Sequence, residues 1–141
     1  MDDAIKRIVV ADLRQRGFKG SLPHLRRRDS DRISLVSFQH FSGGGSFVVE
    51  VAVCPPGGHT TSWGDEIAPS KVRAVDVNNP RPRLGNPYFP GPGDHWFSYG
   101  PRSYQPGGQP IQPSEHYDEV ARTVVDLLDS QAEPFWHGFP A

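Results

Sequence analysis

Between Pro55 and Pro113 lie 21 of the chain's glycines and prolines, which number 15 each. Proline fixes φ and has no N–H to donate, so neither a helix interior nor a central strand can run through such a stretch. The run Asn86-Pro87-Tyr88-Phe89-Pro90-Gly91-Pro92-Gly93 is the extreme case. Most regular structure must therefore come from the residues before Pro55 and after Pro113, with the middle as a long excursion. Excursions of this length are uncommon inside compact domains, and they are usually either functional or disordered. The aromatic residues here (Trp63, Tyr88, Phe89, Trp96, Phe97, Tyr99 and Tyr104) argue against disorder, because disordered segments are poor in them. The segment is expected to be ordered and laid across a sheet, with 71–77 and 94–99 able to pair with that sheet.

The flanking parts read more simply. Ile5, Ile8, Val9 and Leu13 recur at helical spacing, Asp2 or Asp3 is the expected N-cap, and Gly17 stands where a left-handed C-terminal residue is wanted. Phe18 is expected to fold back on the last turn. Lys19 to Arg28 reads as one strand, interrupted or kept at an edge by Pro23. Arg32 to Phe41 and Phe47 to Cys54 read as two more strands, joined through Ser42-Gly43-Gly44-Gly45-Ser46. A C-terminal helix starts at Pro113-Ser114, carries the apolar stripe Tyr117, Val120, Ala121, Val124, Leu127 and Leu128, and should stop at Pro134. Phe135-Trp136 would then tuck the tail onto the core. The expected fold is α+β: an antiparallel sheet of about four to five strands flanked by an N-terminal and a C-terminal helix.

Residues 1–141 are expected to form a single domain, since a chain of this length has room for one core. Cys54 is the only cysteine, which leaves no intramolecular disulfide. The N-terminus carries acid where a secretory signal carries base, and no apolar run approaches the roughly 18 residues of a membrane span. A cytoplasmic, membrane-free protein is the expectation. The formal net charge of −1 conceals +4 over residues 1–41 and −5 over residues 42–141. No nucleic-acid partner is expected from this balance.

No catalytic or metal-binding signature is visible. His24, His40, His59, His95, His116 and His137 are scattered singly, without His-x-His or His-Glu-x-x-His spacing. His59, Asp65, Asp94 and His95 share the irregular segment, so folding could gather them into a ligand or enzyme site. Cys54 precedes Pro55-Pro56, with no helix start to activate it, and reads as a buried thiol. Arg26-Arg27-Arg28 alternate across a strand, sending Arg26 and Arg28 to one face and Arg27 to the other. They read as a solvated or ion-paired edge, with phosphate binding as the alternative. On the last helix Asp118, Arg122, Asp126, Asp129 and Glu133 share one face, opposite the apolar stripe, at helical spacing. This stripe is either a solvated face or a docking face for a basic partner.

Gly17-Phe18-Lys19-Gly20, the strand ending Val36-Ser37-Phe38-Gln39, and the closing Pro134-Phe135-Trp136 resemble a bacterial family catalogued as domain of unknown function 4304. The resemblance covers about residues 5–54 and 115–136. It implies a sheet flanked by two helices, and a role near bacterial toxins, with no catalytic residues to carry over. The expected function is a non-enzymatic binding protein, an immunity protein that neutralises a basic cognate toxin without cofactor or metal. Its expected partner-binding residues are Asp118, Arg122, Asp126, Asp129 and Glu133 with Trp63, Tyr88, Phe89 and Trp96. The alternative is a small-ligand-binding protein or enzyme whose site lies within 55–113.

Overall fold

The computed structural model describes residues 1–77, 80–100 and 112–141. Tyr104, counted above among the aromatic residues, lies outside them. Helix α1 occupies residues 2–15 as Asp2–Ala4, a π segment Ile5–Val10, and Ala11–Gln15. Its N-cap is Met1, and neither Asp2 nor Asp3 caps it through a side chain as expected. Gly17 ends it at φ +95°, a conformation that any Cβ would strain, while Phe18 N–H donates to the Leu13 carbonyl.

The expected single strand over 19–28 is instead a tight hairpin. Lys19–Ser21 (β1) turns at Leu22-Pro23 and returns as His24–Arg28 (β2), pairing Ser21 with His24. Pro23 costs no ladder bond because it sits in the turn, and its carbonyl accepts from Phe38 N–H. Ile33–His40 (β3) and Ser46–Cys54 (β4) follow as the expected hairpin. His59–Thr60 (β5) and Glu66–Ile67 (β6) form a separate small ribbon. Phe97–Ser98 (β7) joins β4, so among the described residues the main sheet runs β1-β2-β3-β4-β7, antiparallel throughout. Residues 71–77 add no strand; they hold a 3-10 turn, Ala74–Asp76.

The sheet buries both faces. Leu25, Val36, Phe38, Phe47, Val49, Val51 and Val53 face the two helices. Ile33, Leu35, Ala52 and Cys54 face the other way, against Val72, Ala74 and Val77 of the excursion. This second layer explains how a sheet with helices on one side avoids exposing apolar surface on the other.

Helix α2 occupies residues 114–138 as Ser114–Leu127, a π segment Leu128–Ala132, and Glu133–Gly138. Pro113 is its N-cap, without a side-chain bond. Pro134 does not stop it. The proline falls at the start of the last α segment, directly after the π segment has displaced the ladder in which its missing N–H would have counted. Phe135 and Trp136 therefore enter the core on a continuing helix, and Trp136 Nε1–H donates to the Leu35 carbonyl across 3.1 Å. No helix among the described residues is long and apolar enough to cross a membrane.

Candidate partner-binding surface

The acidic flank of α2 is largely tied up inside the molecule. Asp118 pairs with Arg7 at 2.7 Å and Asp129 with Arg16 at 2.7 Å. Glu133 takes a bidentate bond from Arg27 at 2.6 and 3.2 Å, and Arg16 stands 3.3 Å away. Arg27 itself lies over the rings of Phe18 and Trp136. Burial works to raise the Glu133 pKa, but the hydrogen bonds and charges of Arg27 and Arg16 outweigh it and hold the carboxyl below its ordinary range. The stripe is thus a seam joining α2 to α1 and β2, which corrects the expectation of a free face opposite the apolar stripe. Only Arg122 and Asp126 of the five lack an ionic partner among the described residues.

The aromatic candidates do not form one patch. Trp63 is 68% exposed in the turn of the β5–β6 ribbon, beyond the Cys54 end of β4, and donates to Asp65. Trp96 lies beside Phe41 and Arg83 at the opposite end of the sheet. The nine residues of β4 separate these ends by roughly 27 Å. His59 and Asp65 lie in the β5–β6 ribbon, whereas Asp94 binds Arg83, which pairs with Glu50 midway along β4, and the His95 ring packs on Phe97 opposite Phe47. These four do not converge, and no group of three or more metal-ligating side chains occurs among the described residues. Cys54 is buried, and burial pushes its thiol up to about 11. His24 Nδ1 lies 2.7 Å from Ser37 Oγ, but Ser37 is buried in the middle of the sheet, where no substrate reaches it.

Tyr88 and Phe89 belong to the best-built feature. Segment 82–84 continues along the β4 edge: Val51 N–H donates to the Pro82 carbonyl and Leu84 N–H to the Val49 carbonyl. Gly85 then turns at φ +88°, where a side chain would collide with the His95 ring, and its N–H donates to Gln131 Oε1 at 2.7 Å. Asn86 is fully buried. Its Oδ1 accepts from Tyr88 N–H, its Nδ2 donates to the Gly91 carbonyl, and its own carbonyl accepts from Phe89 N–H. Gly91 N–H closes the turn on the Tyr88 carbonyl at 2.7 Å. With its backbone fixed this way, the loop holds the Tyr88 side chain outward at 76% exposure.

Beside it lies a cavity of about 350 Å³, lined by Phe89, Pro90, Ser130, Pro134, Phe135 and Phe139 among others. Phe89 meets Phe135 edge to face, and Phe135 meets Phe139. The floor comes from the π segment and final turn of α2, which supply Ser130, Gln131, Pro134, Phe135 and Gly138. The cavity is mostly apolar, so it can hold an apolar group, and the Ser130 hydroxyl in its wall has no acid or base beside it in the lining. Sequence reading found Tyr88 and Phe89 but missed Asn86, Ser130, Gln131 and Phe139. The dipeptide Asn86-Pro87, a strong turn signal, was the one available clue.

No curated protein and no solved structure matches the chain. The model of one family, described as "Domain of unknown function (DUF4304)", matches residues 9–138, and the chain belongs to that family.

Proposed function

We propose that this chain is a non-enzymatic binding protein, an immunity protein whose partner is a bacterial toxin engaged through the Tyr88 loop and the cavity beside it. The observation that carries the reading is the exposed Tyr88 on a backbone already fixed by buried Asn86 and by Gln131. A rigid, exposed tyrosine beside an apolar cavity is the form that interface hot spots take, and prior ordering removes part of the entropic cost of association. The partner would place an apolar side chain in the cavity. Exposed Asp126, four residues before Ser130 of the cavity wall on the same helix and without an ionic partner among the described residues, would favour basic residues at the rim.

Co-expression with candidate bacterial toxin domains tests the reading. Growth rescue and a stoichiometric complex are expected with the cognate toxin, with charge reversal at Asp126 weakening the complex and its dependence on salt. Rescue without a complex would point away from direct binding, and neither rescue nor complex would remove the immunity role.

A further inference from the structure

On the sheet face turned away from both helices, Lys19 and Arg26 are cross-strand partners, and Arg28 follows two residues on along the same face. The three line a cavity of about 330 Å³ with Gly17, Pro69 and Ser70. Among the described residues most other arginines are ion-paired, while Arg14 and Arg32 donate only to backbone carbonyls and Arg122 has no ionic partner. Arg7, Arg16, Arg27, Arg73, Arg81 and Arg83 each contact at least one carboxylate. Arg26 and Arg28 contact none among the described residues. Each instead donates its Nε to a backbone carbonyl, Arg26 to Val72 at 3.1 Å and Arg28 to Pro56 at 2.8 Å. Those bonds fix the stems and leave the terminal guanidinium nitrogens unspent. Lys19 is exposed and likewise has no ion-pair partner among the described residues.

The nearby acids do not neutralise the group. Asp29 is occupied by the N–H groups of Asp31 and Arg32 in its own turn, and neither Asp29 nor Asp31 lines the cavity. Asp76 is bound to Arg73. Three like charges held around one concavity repel one another, and a multiply charged anion relieves that repulsion. Two anchored guanidinium groups, an ammonium and the Ser70 hydroxyl are donors of the kind that bind the oxygens of a phosphoryl group. The cavity also leaves room for part of the molecule that carries it.

We infer that Lys19, Arg26, Arg28 and Ser70 form a binding site for a phosphate monoester. The site faces away from the Tyr88 surface and stands independently of the immunity reading. Its chemistry is common to soluble phosphorylated metabolites and to monoester lipid headgroups, and the test separates the two. Wild-type protein is titrated by calorimetry and amide NMR with inorganic phosphate, with phenyl phosphate, and with vesicles containing phosphatidic acid.

Saturable binding of phosphate and phenyl phosphate is expected, with shifts centred on residues 19, 26, 28 and 70. Each of Lys19→Gln and Arg28→Gln should weaken it about tenfold, and Arg122→Gln should leave it unchanged. Arg26→Lys keeps the charge without the fork and should also weaken it, which separates loss of geometry from loss of fold when the melting temperature is unchanged. Binding to vesicles but not to phenyl phosphate would assign the site to lipid and overturn the soluble-ligand form. Affinity for phosphate unchanged in Lys19→Gln and Arg28→Gln, or no saturable binding of any probe, would overturn the site itself.

Discussion

Replacing Glu133 by alanine removes the one carboxylate shared by Arg16 and Arg27. Arg27 is then left with only the Arg16 carbonyl as acceptor, at 3.2 Å, with its guanidinium still pressed over Phe18 and Trp136. Its side chain is 16% exposed, so water replaces the lost partner poorly. Arg16 fares better, since Asp12 and Asp129 remain. Breaking a well-buried pair from one side costs about 3–5 kcal/mol, and the partial exposure here scales that to about 3 kcal/mol. For a chain of this size that is a drop of roughly 6–12 °C in Tm.

Glu133→Gln keeps an acceptor oxygen for Arg27 and should lose less than half as much. Because the folded-state pKa of Glu133 lies below its ordinary 4.5, its contribution is fully present above that value and is lost as pH falls through the folded value. Thermal and urea unfolding followed by circular dichroism between pH 7 and pH 3 reads both effects. A loss below about 1 kcal/mol for Glu133→Ala, or an acid limb as steep in Glu133→Gln as in wild type, would refute the seam.

Asn86→Ala strands the Tyr88 N–H and the Gly91 carbonyl, and should cost about 2–3 kcal/mol while accelerating amide exchange at Tyr88. Unchanged exchange there would show that the loop is held by something else. Cys54, with its thiol at about 11 and no exposure to speak of, should resist alkylation by iodoacetamide at pH 8 in the native protein and react on unfolding. Fast native labelling would contradict the packing of the second face.

What could be read from the sequence followed from local rules. Alternation in β4 separated its two faces, and the split of Arg27 from Arg26 and Arg28 held because strand geometry is periodic. Gly17 ended α1 as a left-handed residue for the same kind of local reason. The readings that changed depended on distant partners. Nothing within α2 tells that Asp118, Asp129 and Glu133 are matched by Arg7, Arg16 and Arg27, which lie at least 106 positions away. Pro134 read as a stop because its penalty assumes a regular ladder, and the π segment before it could not be foreseen from composition. The aromatic residues of the excursion were expected to lie together across the sheet, yet β4 holds Trp63 and Trp96 at opposite ends, a separation that only the sheet determines.

Isothermal titration of wild-type and Tyr88→Ala protein with the purified toxin domain whose toxicity the chain relieves on co-expression tests partner binding at the Tyr88 loop most directly. Tyr88 is 76% exposed, so its removal should leave Tm unchanged. A rise in Kd of at least about 30-fold, the size of a hot-spot tyrosine, is the predicted result. Equal affinities for the two proteins, or no detectable complex with either, would contradict it.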